Sequence, residues 1–345
     1  MNTTASVIGL DIAKNVFVAV GRDARGKMLW KKTLARDEVL PTFANLPPTS
    51  VGIEACAGSH YWARQLNALG HEVKLIAAQH TRAYVTGNKN DANDAAAIAE
   101  ARSRAATKAV AINTEAQQDL QMLHRARQAL VDEKKAMVGR IQAFAHEYGT
   151  IFPLGVAKFR AGLTLWLTDD GNGLSAMALE TLRDLVGQLD DKEQRLQTYD
   201  RRLAEAAQAD ETAKRLLAVP GIGKLTATAI VATVSEPRDF SQGRDLSANL
   251  GLVPREHSTG GKQRLYGITK RGDRYLRTLL IHGARSALRC ADGKEDRILR
   301  WALKLAERRG HNVAAVALAN KLARIVWAML AYGRDYQPNH GIARW

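Results

Sequence analysis

The sequence predicts an α/β amino-terminal domain joined to a mainly helical remainder. Three observations predict it. Within the first 112 residues short β-rich runs alternate with helical spacing; from residue 114 apolar residues recur three and four apart with few breakers; and after residue 216 two Gly-punctuated stretches divide further helices. At 345 residues the chain exceeds one ordinary core, and the composition shifts divide it into 1–112, 113–210 and 211–345. Lys plus Arg number 50 against 35 Asp plus Glu, a formal charge of +15, which points to a polyanionic partner, nucleic acid first. Cys56 and Cys290 lie far apart; they suggest neither a zinc site nor a disulfide framework, and fit a reducing cytoplasm. No signal peptide, lipid anchor or membrane association is expected. The start lacks a basic region, and the most apolar stretch, 313–332, is interrupted by Lys321 and Arg324 at helical spacing, as in an amphipathic helix.

The first element is residues 7–15, VIGLDIAKN. Val7, Ile8 and Leu10 are β-formers, Gly9 leaves room for close backbone approach, and Asp11 stands where the strand ends. Taken alone, Asp11 reads first as a turn residue leading into 12–15; it gains meaning only if other acids converge on it. Residues 16–20 and 28–33 read as a hairpin turning at Gly26. Residues 36–46 have helical spacing and stop at Pro47-Pro48. A second buried strand, 50–55, carries Glu54; a helix over 60–69 ends at Gly70, and 72–77 is a further strand. The order β-β-β-α-β-α-β-α is that of the ribonuclease H-like superfold, in which the first strand lies beside the strand after the first helix, making Asp11 and Glu54 neighbours.

Residues 86–101, TGNKNDANDAAAIAEA, open a helix. Asn90, Asp91 and Asn93 are N-cap types, and Asp91 and Asp94 fall three apart on one face. Capping and the helix dipole favour acids there in any case. Convergence of four acids is a different matter: two carboxylates about 4 Å apart repel by about 4 kcal/mol at an effective dielectric of 20, so four in one cleft need cations between them. Two Mg²⁺ ions would relieve the repulsion and align attacking and leaving oxygens for phosphoryl transfer.

The strand IGLDIAKN, the later GIEACAGSHYWAR and the K-x-D-x-x-D-A element at 89–95 resemble the DEDD transposases of bacterial insertion sequences, the Piv-like group often called the IS110 family, with its IS1111 branch. The resemblance implies a RuvC-like catalytic domain and gives the four acids to Asp11, Glu54, Asp91 and Asp94. Lys89 either approaches the phosphate or is simply solvated.

From Thr114 the helical pattern runs through Leu120, Leu123, Leu130, Met137, Ile141, Phe144 and Tyr148. After a loop at 149–173, Leu182, Leu189, Leu196 and Leu203 fall at heptad intervals with Leu185, Tyr199 and Ala206 between them, a coiled-coil seam. The pattern fits an intramolecular helical hairpin or a dimer interface; the family resemblance favours a dimer or tetramer. Arg125, Arg127, Lys134, Lys135 and Arg140 would then face solvent or a nucleic-acid backbone.

Residues 216–234, LLAVPGIGKLTATAIVATV, resemble a helix-hairpin-helix, in which Gly221 and Gly223 let amides face a phosphate and Lys224 opens the second helix. A Gly-rich turn with no ligand fits the same letters. Further on, Ser258, Thr259, Gly260 and Gly261 make a hydroxyl-bearing loop flanked by Arg255, His257, Lys262 and Arg264 and followed by Lys270, Arg271, Arg274 and Arg277. Cations beside a hydroxyl suit attack on a phosphodiester, although such a turn is often only a turn. Residues 249–288 resemble the carboxy-terminal transposase domain of the same family, in which a serine of this loop links covalently to DNA. That implies Ser258 as nucleophile, with Thr259 the competing position. The resemblance further implies a guide (bridge) RNA transcribed from the element, pairing with donor and target DNA.

The expectation is therefore a Mg²⁺-dependent transposase or recombinase of the bacterial cytoplasm, acting at the nucleoid. Three alternatives stand beside it: a Holliday-junction nuclease using the same acids without Ser258, a sugar-kinase-like ATPase, and a non-enzymatic nucleic-acid scaffold.

Overall fold

A computed structural model describes residues 5–88 and 90–338; Lys89 lies outside the described residues. The chain forms two compact units, 1–114 and 115–345.

In the first unit the strands are β1 (Val7–Asp11), β2 (Val16–Arg22), β3 (Met28–Ala35), β4 (Ser50–Glu54), β5 (Glu72–Ile76) and β6 (Ala109–Val110). They form one sheet in the order β3-β2-β1-β4-β5-β6. The β1–β4 and β4–β5 pairs are parallel, the others antiparallel. The expected pairing of β1 with β4 is present, and Leu10 lies opposite Ile53, so Asp11 and Glu54 leave the sheet at the same end of adjacent strands.

Helices α1 (Val39–Ala44) and α2 (Ser59–Ala68) cover one face, packing Val39, Phe43, Trp62 and Leu66 against Ile8, Leu10, Phe17 and Ile53. α1 is shorter than the 36–46 spacing suggested. Its start is delayed because the Glu38 carboxylate accepts from the Ala35 amide in a preceding turn. The short helix α3 (Ala78–Thr81) follows β5, and α4 (Asp91–Ser103) lies on the opposite face.

The seating of α4 follows from two glycines. Gly9 and Gly52 are register partners on adjacent strands, and together they leave a trough in the sheet. A Cβ on Gly9 would stand 2.0 Å from the Ala95 carbonyl oxygen, and one on Gly52 2.8 Å from the Arg102 Cβ. The alanine-rich face of α4, with Ala95, Ala97, Ile98, Ala99 and Ala101 buried, fills that trough. Arg22 on β2 pairs with Glu100 at 2.6 Å, and Arg102 with Glu72 on β5 at 2.9 Å, tying the same helix to strands on either side.

In the second unit α5 (Glu115–Glu147), α6 (Val156–Thr168) and α7 (Ala176–Ala209) enclose a small core of Met137, Ile141, Ala145, Phe159, Leu163, Trp166, Leu182, Leu185 and Leu189. Much of the leucine seam is filled by α5 and α6 of the same chain, the intramolecular packing that the heptad spacing allowed beside a dimer interface. A heptad stripe specifies that a helix packs lengthwise against another, not which chain supplies the partner. Arg127 and Lys134, expected to face outward, instead pair across to α7, with Asp200 at 2.5 Å and Glu193 at 2.9 Å. Phe144 and Tyr148, read as part of the apolar stripe, are exposed.

The remaining elements are α8 (Glu211–Leu216), α9 (Lys224–Thr233), α10 (Gly243–Asn249), the hairpin β7 (Pro254–Glu256) and β8 (Leu265–Ile268), α11 (Arg274–Arg289), α12 (Arg297–Arg309) and α13 (His311–Tyr332). Among the described residues α13 alone is long and apolar enough to cross a membrane by length and composition. It is instead built into the core through Ala315, Leu318, Leu322, Val326 and Trp327. Trp327 donates to the carbonyls of Pro237 and Phe240, and Lys321 lies 3.8 Å over the half-buried Trp301 ring.

A buried polar relay joins three of these helices. His124 on α5 has Nδ1 3.0 Å from the Tyr275 hydroxyl of α11 and Nε2 3.1 Å from the Thr228 hydroxyl of α9. Thr228 donates its own proton to the Lys224 carbonyl, so it accepts from His124 Nε2–H, and Tyr275 donates to Nδ1. Burial, with the nearby Arg127 charge, pushes the imidazole down from 6.5 to about 4. Because the folded value is the lower one, the stabilisation is complete above about pH 6.5 and is lost as pH falls toward 4, about 3 kcal/mol in total. Thermal melts of the wild type should therefore fall between pH 7 and pH 4.5 more steeply than those of His124→Gln; equal slopes would exclude the relay as the acid-sensitive element.

Candidate active site

Three carboxylates meet at the carboxyl end of β1. Asp11 is placed by the strand, and Asp91 and Asp94 by the first turn of α4. Oxygens of all three lie within 4.8 Å of one another. Helix α4 starts where it does because Asn90 caps it, its side-chain oxygen accepting from the Asn93 amide at 2.8 Å, while the Asn93 side chain donates back to the Asn88 carbonyl at 2.7 Å. Those two bonds fix the turn that carries both acids. The glycine trough sets the depth of the helix and hence the distance from Asp91 and Asp94 to Asp11.

Glu54, at the end of β4, stands beside this trio rather than in it. Its Oε2 accepts a hydrogen bond from the Thr81 hydroxyl at the end of α3. Its charge is nevertheless felt at Asp11, whose carboxyl is raised to about 6 by burial first and then by Asp94, Asp91 and Glu54, against the opposing Ile12 amide hydrogen bond. Three acids thus act on the fourth, Asp11, which resists ionisation first because it is buried and then because the others are there. The exposed Cys56, two residues beyond Glu54, has its thiol pushed up by burial and by the charges of Glu54 and Asp11.

The donor set is all oxygen, with Asp11 and Asp94 half-buried and Asp91 exposed. That chemistry suits a hard divalent cation, whose charge would offset the repulsion that raises Asp11. Thr81 escaped the sequence reading because a threonine in a four-residue helix gives no local signal; its partner is 27 positions away.

The second candidate region lies in the other unit. Ser258 and Thr259 occupy the turn of the β7–β8 hairpin, where Gly260 and Gly261 adopt φ of 55° and 75°. Ser258 Oγ donates to Glu256 Oε1 at 2.6 Å and accepts from the Arg264 amide at 3.2 Å. Thr259 is joined to Lys262 by backbone bonds across the turn. Arg255, His257, Lys262 and Arg264 are exposed around it. Lys270, Arg271 and Arg274 are exposed beyond β8. Lys270 sits at φ 57°, in a loop locked against residues 249–251: a Cβ on Gly272 would be 1.7 Å from the Asn249 carbonyl oxygen. Arg277, read with these cations, is instead buried, donating to the carbonyls of Leu250 and Arg271 at 3.0 and 2.9 Å; it holds the loop and cannot meet a phosphate.

Between α8 and α9, Gly221 has φ 86° and lies against α11, where a Cβ would be 2.6 Å from the Gly283 carbonyl oxygen. Its missing side chain serves helix packing. Gly223 and Lys224 are exposed at the start of α9 with open space around Gly223.

Comparison with known proteins gives consistent matches over both units. A family model of DEDD type from IS110, described as Transposase, matches residues 8–149, and one described as Transposase IS116/IS110/IS902 family matches residues 213–299. The chain is 45% identical to a Pseudomonas aeruginosa protein named "Probable family 20 transposase", over 96% of this chain and 99% of the other. It is 41% identical to the transposase for insertion sequence element IS1111A of Coxiella burnetii (96% and 91% covered) and 38% identical to that for IS1328 of Yersinia enterocolitica (95% and 97%).

Proposed function

The chain belongs to the IS116/IS110/IS902 family of transposases, enzymes that act on DNA, and from that premise we propose that it cuts and rejoins strands through a phosphoserine intermediate, at a Mg²⁺ site. The observation that carries the reading is the convergence of Asp11, Asp91 and Asp94 at the end of β1. DEDD transposase domains typically use a divalent metal. Asp11, Asp91 and Asp94 would hold it, with Glu54 swinging from Thr81 to join them; Mg²⁺ supplies charge neutralisation and alignment at the scissile phosphate. A ribonuclease H-like, RuvC-like assignment for residues 1–112 is supported by the strand order and by the parallel pairing of β1 with β4.

Ser258 is the proposed nucleophile. It has a carboxylate and an amide arranged on its hydroxyl, whereas Thr259 is engaged through its backbone. Arg255, Lys262, Arg264, Lys270, Arg271 and Arg274 would neutralise DNA phosphates around it. Gly223 and Lys224, at a helix N-terminus, suit one further phosphate, as in a helix-hairpin-helix, with Gly221 shaping the turn. Residues 113–210 would serve assembly into a dimer or tetramer through surfaces other than the filled leucine seam. A guide RNA encoded by the element is part of the reading, supported by the family likeness and by the formal charge of +15, as is action at the nucleoid of the bacterial cytoplasm.

The test is to mix protein, co-purifying RNA and element-end DNA with Mg²⁺, digest, and map the nucleotide-bearing peptide. The expected adduct is on Ser258 and vanishes in Ser258→Ala. Cleavage persisting in that variant without any adduct would point to a resolvase-type nuclease; an adduct on another residue would move the nucleophile.

A further inference from the structure

The groups bonded around the Ser258 hydroxyl suggest more than a turn. Glu256 ends β7 with its side chain exposed, and its Oε1 receives the Ser258 hydroxyl proton at 2.6 Å. The same oxygen accepts from Gln263 Nε2 at 3.4 Å, which fixes the carboxylate across the hairpin. The Arg264 amide donates to Ser258 Oγ from the other side at 3.2 Å. The hydroxyl is thereby oriented in both senses: its proton points at a carboxylate, and an N–H points at the oxygen that must gather charge. Nothing in the sequence marked Glu256.

We infer that Glu256 is the general base for Ser258. This rests on the reading of Ser258 as the nucleophile. In the step, the Ser258 Oγ–phosphorus bond forms as the bond from phosphorus to the leaving strand-end oxygen breaks. The hydroxyl proton passes to Glu256 Oε1, the leaving oxygen takes a proton from water, and no oxidant or reductant is involved. The Arg264 amide stabilises the charge on Oγ as its proton departs. The base travels with its nucleophile on one hairpin, two residues apart, so their geometry is set within that hairpin.

A carboxylate that only shapes the turn predicts a different outcome from one that takes the proton, and Glu256→Gln separates them because it keeps an acceptor oxygen at the same place. With full-length protein, co-purifying RNA, element-end DNA and Mg²⁺, single-turnover adduct formation in Glu256→Gln should fall about 10²–10⁴-fold at neutral pH while DNA affinity is unchanged. Its residual rate should rise about tenfold per pH unit as hydroxide replaces the base, and formate should restore adduct formation in Glu256→Ala. Wild-type rates in Glu256→Gln, or a loss that formate does not rescue and that DNA binding shares, would overturn the inference. An adduct that survives Ser258→Ala on another residue would instead overturn the nucleophile reading beneath it.

Discussion

Asp11→Asn is expected to lower Mg²⁺-dependent DNA cleavage by about 10²–10³-fold or more while raising the melting temperature of the metal-free protein. The two effects have one cause. The folded-state value of Asp11, about 6, lies above the ordinary 3.8, so its contribution to stability is full below pH 3.8 and is lost as pH rises through 6. At neutral pH the folded protein carries a carboxylate that burial, Asp94, Asp91 and Glu54 all disfavour. The group is half-exposed, and with solvent screening discounted the penalty is on the order of 1 kcal/mol, or about 4 °C of melting temperature. Asparagine removes it. Scanning fluorimetry with and without Mg²⁺ provides the check: the wild type should gain stability from the ion and the variant should not. A variant that melts lower than the wild type without Mg²⁺, or is stabilised equally by it, would remove the carboxylate cluster from consideration as the cation site.

Gly9→Val should destabilise the first unit by about 3 kcal/mol or more and abolish cleavage with it. The Cβ alone would sit 2.0 Å from the Ala95 carbonyl oxygen and 2.5 Å from the Ala99 amide nitrogen, so the clash is with main chain, which no rotamer relieves. Helix α4 must lift, and Asp91 and Asp94 lift with it. Gly139, inside α5 with open space around its Cβ position, is the control: Gly139→Ala should stabilise the protein by about 0.5–1 kcal/mol. Chemical denaturation of the two variants measures both; a Gly9→Val protein as stable as Gly139→Ala would mean that α4 is not seated in the trough.

Much of this site was legible in the letters because its signals are local. Apolar runs ending in an acid located Asp11 and Glu54, cap residues located the start of α4, and the glycine in VIGLD announced a close backbone approach that the structure places at α4. What was not legible depends on partners distant in sequence. The leucine stripe of α7 says nothing about whose helix fills it, and the outward or inward turn of Arg277 depends on a loop 27 residues earlier. Gly221 read as a phosphate contact, and the structure shows it packed against α11; a glycine has the same appearance in either role. Thr81 and Glu256 were invisible for the complementary reason: each meets its partner, Glu54 or Ser258, through a side-chain hydrogen bond, and such a bond leaves no periodicity.

The alanine face of α4 has a consequence of its own. Each buried methyl contributes only about 0.8 kcal/mol of transfer energy, so a helix seated chiefly on alanines is close to the sheet without being strongly held there. Detaching residues 91–103 is therefore a smaller excursion than melting the whole unit, and it carries away Asp91 and Asp94 together. On the proposed reading of Asp91 and Asp94 as cation ligands, competence for chemistry and the docking of one helix become a single equilibrium, opposed at the helix's far end by the Arg22–Glu100 and Arg102–Glu72 pairs.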